Sequence, residues 1–156
     1  MMAENMFNGK GVILGWLNSS FALKLEKIED TCTGAVACQI IDYLHPGSIN
    51  MKKVDFNVKN AYEFVGNYKE LQQAFNRNNI DRAFNVQALS KGKLQDNNEF
   101  MQFLKGYWDE RTGGQAVTDY DAVARRCASK TGDWRRFSCG SAGGVAGVVG
   151  CAGHGA

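Results

Sequence analysis

Four apolar side chains, Phe64, Tyr68, Leu71 and Phe75, recur at i, i+4, i+7 and i+11. That spacing puts them on one stripe of an α-helix, whereas a strand, with its period of two, would divide them between two faces. Val58, Ala61 and Val65 lie alongside, Asn57 is a suitable N-cap, and Asn78-Asn79 marks the end. A helix with such a stripe must bury it against other elements. The remainder of the chain favours helices as well. Pro46 is its single proline, and the first 110 residues lack the turn signals that many short strands need. With 156 residues and 44% hydrophobic content, the chain can build one all-α domain with a real core, and is too short for two.

Further apolar faces surround this stripe. Val12, Ile13, Trp16 and Leu17 follow helical spacing, with Asn8 placed to cap the start and Trp16 expected as a core anchor. Phe21, Leu23, Leu25 and Ile28 are expected to point inward from a connector. The stretch Thr31 to Leu44 predicts a helix whose small residues Gly34, Ala35 and Ala37 let another helix approach closely. Its apolar face continues through Ile40, Ile41 and Leu44 until Pro46-Gly47 stops it. Ser48 to Phe56 reads as a loop carrying Lys52-Lys53. A short helical turn follows around Val86–Leu89, and then the loop Lys91-Gly92-Lys93. Asp96 is the expected N-cap of a last long helix, with Glu99 at N3 and a stripe of Phe100, Phe103, Leu104, Tyr107 and Trp108. These readings place the folded domain at 8–111, an acidic-to-basic extension at 112–126, and a flexible Gly/Ala/Ser-rich tail at 127–156.

The formal net charge is only +2, but the charge is unevenly distributed. Residues 52–93 hold eight cations (Lys52, Lys53, Lys59, Lys69, Arg77, Arg82, Lys91 and Lys93) against four carboxylates, while residues 1–51 hold three cations against five. A basic middle of this kind steers a domain toward an acidic surface and makes binding salt-sensitive, although a solvated face with unrelated lysines has the same composition. Five cysteines cannot close a disulfide framework, no C-x-x-C occurs, and His45 and His154 are the only histidines. A tetrahedral zinc site therefore lacks ligands, and free thiols in a reducing compartment are expected. No secretory signal pattern opens the chain and no apolar run reaches membrane-spanning length. No Walker A loop, H-E-x-x-H or G-x-S-x-G occurs, and the Gly-rich stretch 140–144 lacks the strand and helix that a phosphate cradle requires. No enzyme activity, cofactor or metal is expected.

Four segments carry a more specific signal. They are Lys27-Ile28-Glu29-Asp30-Thr31-Cys32-Thr33-Gly34-Ala35, running on to Cys38-Gln39 and Asp42-Tyr43-Leu44-His45-Pro46-Gly47-Ser48-Ile49; Met51-Lys52-Lys53-Val54-Asp55-Phe56; Leu89-Ser90-Lys91-Gly92-Lys93-Leu94-Gln95-Asp96-Asn97-Asn98-Glu99-Phe100; and Asp119-Tyr120-Asp121-Ala122-Val123-Ala124-Arg125. In order and spacing they resemble the end-binding family of microtubule plus-end tracking proteins over residues 10–126, and Lys-Gly-Lys-x-Gln-Asp-Asn is the most specific of the matches.

The resemblance implies a calponin-homology fold, with several helices around one core. It also implies docking between microtubule protofilaments at growing ends, where the subunit junction reports the nucleotide state of tubulin. Carried over position by position, the expected microtubule-binding residues are Lys52, Lys53, Lys59, Lys69, Arg82, Lys93, Gln95 and Lys10. Gly11 and Val12, after Lys10, depart from the polar family pattern. The expected partner is tubulin, with no nucleic acid or membrane, and the expected location is cytoplasmic and cytoskeletal, at plus ends and by extension the spindle or organising centre. No heptads follow residue 126, so no dimerising coiled coil is visible and a monomer is expected. Arg125, Arg126, Lys130, Arg135 and Arg136 either add non-specific attraction to acidic tubulin tails or belong to a disordered end. The alternative function is a calponin-homology adaptor or actin-binding domain without plus-end tracking. A nucleic-acid reading would rest on Lys69, Asn76, Arg77, Asn78 and Arg82, but the helix concerned also carries the main apolar stripe.

Overall fold

A computed structural model describes residues 9–134. Among them are six α-helices, which we label α1 (Lys10–Phe21), α2 (Ala35–Leu44), α3 (Ala61–Arg77), α4 (Val86–Ser90), α5 (Leu94–Thr112) and α6 (Ala122–Cys127), with 3-10 turns at Ile28–Thr33 and Met51–Lys53. No strand occurs among the described residues, in accord with the all-α expectation.

Helix α2 is the centre of the core. Its residues from Ala35 to Asp42 are all buried, and it packs against both α3 and α5. Helix α3 turns the predicted stripe Phe64, Tyr68, Leu71 and Phe75 inward. Helix α5 buries Phe100, Leu104 and Trp108, with Phe103 and Tyr107 half-buried beside them. Each large apolar side chain so buried contributes about 1.5–3 kcal/mol. The aromatic rings form two groups. Trp108 contacts Trp16 at 5.5 Å, Phe21 at 5.6 Å and Tyr43 at 5.0 Å. Phe84 lies 5.4 Å from Phe75 and 5.3 Å from Phe100. On α1 the inward positions are Ile13, Leu17 and Phe21; Val12, expected with them, is exposed, and Trp16 is half-buried. Phe21, Leu23, Leu25 and Ile28 are all buried, as their spacing predicted.

Several boundaries differ from the expectation, each for a local reason. The helix predicted from Thr31 is interrupted at Gly34, whose φ is +84°. A Cβ there would come within 3.1 Å of the Tyr68 ring and 3.2 Å of Asn67 Cβ, so the glycine allows both the left-handed turn and the close approach of α3. Helix α3 begins after Asn60, not Asn57. Asn60 and Glu63 form a capping box, while Asn57 is held in a turn by its N–H donating to Asp55 Oδ1 at 2.8 Å. Helix α5 begins after Lys93, so Asp96 lies within the first turn, favourably placed at the positive end of the helix. Buried Asn97 fixes that start by donating to the carbonyls of Lys93 (2.9 Å) and Leu89 (3.1 Å). The N-cap of α1 is Gly9; Asn8 lies outside the described residues.

The largest revision concerns the C-terminal stretch. Helix α6 and the turn after it pack on the core, so ordered structure continues past residue 127, where the tail was expected to start, to Trp134. The tail from 135 onward lies outside the described residues. Cys32 and Cys38 are free, but Cys127 is disulfide-bonded, contrary to the expectation that all thiols are free.

Candidate functional site

The segment from Ser48 to Asp55 runs antiparallel to α3. Arg77 Nη1 donates to the Ser48 carbonyl at 2.6 Å, the Asn50 N–H donates to Glu70 Oε1 at 3.4 Å, and the Asp55 N–H donates to Asn67 Oδ1 at 2.8 Å. Between these fastenings lies the Met51–Lys53 turn, whose Lys52 N–H is capped by Asn50 Oδ1. Met51 and Val54 are buried on either side of the two lysines, which leaves Lys52 and Lys53 exposed on a fixed turn.

Asn67 and Tyr68 tie this turn to two others. Buried Asn67 donates to the carbonyls of Thr33 and Asp55, both at 2.9 Å, and Tyr68 donates from its hydroxyl to the Cys32 carbonyl at 2.9 Å. A Cβ at Gly92 would lie 3.8 Å from Cys32 Sγ, which brings the Lys91-Gly92-Lys93 loop to the same place. Lys53, Lys69 and Lys93 therefore each sit one or two residues from this hydrogen-bonded knot, and all are exposed. Gln95 is exposed in the first turn of α5, and Lys59 is exposed just ahead of α3. Arg82 lines a cavity with Leu89, Asp96 and Glu99, beside the Lys91-Gly92-Lys93 loop and Gln95. It follows the far end of α3, which at 17 residues is about 25 Å long, and its guanidinium stacks 4.6 Å over the Phe103 ring. Lys10, the first residue of α1, is exposed on an element that packs against α5 and the first 3-10 turn.

Most cations of the described residues, the predicted site residues among them, lie outside ion pairs. Three ion pairs occur among the described residues: Lys105–Asp109, Arg125–Asp42 and Arg126–Asp133. None involves a predicted site residue. The nearby carboxylates serve the backbone. Asp55 accepts from the Asn57 N–H, Glu63 from the Asn60 N–H at 3.2 Å, and buried Glu70 from the Asn50 N–H. The exposed lysines thus face solvent outside the ion pairs of the described residues. Nucleophilic chemistry is not prepared nearby: burial, then Glu70 and Asp42, push the Cys38 thiol far above its ordinary pKa, and its Sγ lies 3.3 Å from the Asn67 carbonyl. Among the described residues no cluster of three His, Cys, Asp or Glu could hold a metal ion, and no helix is long and apolar enough to cross a membrane.

Sequence reasoning missed two features. Asn67, which ties three chain segments together, stands three residues after Phe64 and four before Leu71, on the inward face of α3, and a polar residue at that position was the available signal. Tyr62 is 76% exposed on the same outer face as Lys69; its place two residues before Phe64, out of phase with the stripe, was the available signal. Conversely, Arg126, read as a free tail cation, is fully buried, and Arg125 is paired with Asp42.

The fold and this face together define an all-α calponin-homology domain with an unpaired basic surface. No family model matches the chain. Among characterised proteins it is 47% identical over 132 residues to microtubule-associated protein RP/EB family member 1C of Arabidopsis thaliana, covering 85% of this chain and 40% of that protein. Member 1A of the same plant is 40% identical over 81% of this chain and 46% of its own length, and member 1B is 41% identical over 81% and 43%. A solved structure from work on the structural basis of microtubule plus end tracking by XMAP215, CLIP-170 and EB1 superimposes with a TM-score of 0.69 at 41% identity, covering 76% of this chain and 97% of that one. The chain belongs to the microtubule end-binding (RP/EB) family. It spans less than half the length of the curated relatives it matches.

Proposed function

We propose that this domain binds microtubules, docking its basic face between protofilaments at growing ends. The observation that supports this best is the unpaired state of Lys52, Lys53, Lys69 and Lys93 around one rigid knot, with the neighbouring carboxylates engaged by the backbone. Lys59, Gln95 and Arg82 extend the face, while Lys10 makes an outlying contact from a separate element. An exposed ion pair contributes only about 0–1 kcal/mol, so affinity arises from the summed field of several cations over an acidic lattice. A single domain suffices for that contact, and the cell location that follows is the microtubule cytoskeleton, at plus ends.

Co-sedimentation with stabilised microtubules tests the face. Lys52→Glu combined with Lys53→Glu reverses two charges and should weaken pelleting by about tenfold or more at moderate salt, with an unchanged thermal melt. A folded double variant that pellets like the wild type would rule this surface out. Imaging the tagged domain on dynamic microtubules tests end preference: comets at growing ends support it, and uniform decoration leaves lattice binding alone. Parallel pelleting with actin filaments tests the alternative.

A further inference from the structure

We infer that Lys130 is a further contact of the microtubule-binding face, delivered to it by a folded C-terminal strap; this rests on the function proposed above. The strap starts after α5, crosses the core and is fastened at α6. Arg126 is its anchor. The guanidinium is fully buried and donates to the Phe21 carbonyl at 2.6 Å, the Ala22 carbonyl at 3.0 Å, Gln39 Oε1 at 3.1 Å and Asp133 Oδ1 at 2.6 Å. Beyond the anchor the chain turns back on itself: Ser129 Oγ donates to the Arg126 carbonyl at 2.6 Å, the Gly132 N–H donates to the Ser129 carbonyl at 3.3 Å, and Gly132 adopts φ +75°.

This turn is joined to the basic segment through the backbone. The Lys130 N–H donates to the Val54 carbonyl at 2.9 Å, and the Phe56 N–H donates to Thr131 Oγ1 at 2.9 Å. A pair of backbones bonded in this way lies about 5 Å apart, so Lys130 stands beside the residue that follows Lys53. Its side chain is exposed and takes part in none of the ion pairs among the described residues. Asp133, the carboxylate nearest to it in sequence, is committed to Arg126. A third lysine is thus held beside the Lys52-Lys53 segment, outside every ion pair among the described residues. Like charges so arranged repel and favour neither folding nor packing. The arrangement suits an acidic partner that covers all three, and in the proposed function that partner is the microtubule lattice.

The test uses the full chain in microtubule co-sedimentation over a salt series, with thermal melts to confirm folding. Lys130→Glu should weaken binding about three- to tenfold and flatten its salt dependence. Lys24→Glu, an equal change of net charge in the loop after α1, should leave binding within about twofold. Thr131→Val removes the acceptor for the Phe56 N–H and no charge; it should weaken binding by about two- to threefold, because Lys130 is then held less firmly. Wild-type binding by Lys130→Glu overturns the proposal, and so does an equal loss in Lys24→Glu, which would mean that only net charge matters. A loss in Lys130→Glu with none in Thr131→Val overturns the fixed strap in favour of a loosely tethered cation. If the wild-type chain itself fails to pellet, the proposed function fails and this inference fails with it.

Discussion

Two adjacent basic pairs, Lys52-Lys53 and Arg125-Arg126, look alike in the sequence and do opposite things in the fold. The lysines stand on a capped 3-10 turn, exposed and outside every ion pair among the described residues. The arginines are satisfied within the fold. Arg125 makes two bonds to Asp42, each at 2.9 Å, and Arg126 is buried with four acceptors around it. Charge that is satisfied internally contributes to structure and offers little to a partner. Charge that is held out rigidly and left unpaired does little for folding and is available for recognition. Composition cannot separate the two uses, because what differs is the set of acceptors that the fold brings within reach.

The largest effect on stability is expected at Arg126. Arg126→Met keeps much of the side-chain volume but removes the donors from three oxygens of the core and from the Asp133 carboxylate. Breaking a buried pair in this way costs about 3–5 kcal/mol, a large part of the roughly 5–15 kcal/mol that holds a domain folded. Lys52→Met with Lys53→Met should change stability by no more than about 0.5 kcal/mol. Denaturant midpoints of the two variants measure the contrast directly, and comparable losses would remove the distinction between the pairs.

A smaller effect comes from the half-exposed partner. Asp42 is buried and accepts from Arg125 and from the Tyr120 hydroxyl at 2.7 Å, whereas the Arg125 side chain is 41% exposed. Burial and the Asp42 carboxylate raise the pKa of Tyr120, so its hydroxyl remains a donor. Removing either partner is therefore not symmetrical. Arg125→Ala leaves a buried carboxylate with Tyr120 alone and should cost about 2–3 kcal/mol, while Asp42→Asn keeps the Tyr120 bond, frees an arginine that can reach water, and should cost about 1 kcal/mol. Thermal melts that rank the two variants in the reverse order would show that the arginine, not the carboxylate, is the costly member.

Much of the fold was legible because apolar periodicity acts over a few residues. The stripe at Phe64, Tyr68, Leu71 and Phe75 and the one from Phe100 to Trp108 both became buried faces. Caps were harder to place, since Asn57 and Asn60 are equally good cap residues by type, and only Glu63 three residues past Asn60 distinguishes them. The exposed lysines came from the family resemblance. The role of Arg126 could not be read at all, because its partners Phe21, Ala22 and Gln39 lie 105, 104 and 87 residues away, and no local pattern encodes contacts at that range.

His45 offers the finest test of the same contrast, since it is a cationic residue type that the fold keeps neutral. Its ring nitrogen lies 2.6 Å from the Tyr107 hydroxyl at the end of α2, and burial followed by the nearby Arg111 charge lowers its pKa. Burial raises the pKa of Tyr107, so its O–H keeps its proton and is available to a neutral imidazole. In the unfolded chain a histidine titrates near about 6.5. A group whose pKa is depressed by folding adds stability that is fully present above the unfolded value and is lost as pH falls through the folded one, because the unfolded state takes up the proton first. Wild-type stability should therefore decline on going from neutral to mildly acidic pH, and His45→Gln should lose part of that slope. The proposed face contains no histidine, so it should hold microtubules equally well wherever the domain stays folded. Denaturant midpoints measured beside co-sedimentation at each pH check both halves. Equal slopes in the two proteins would place the titrating group elsewhere, and binding that follows the His45 titration would bring the paired side of the molecule into the contact.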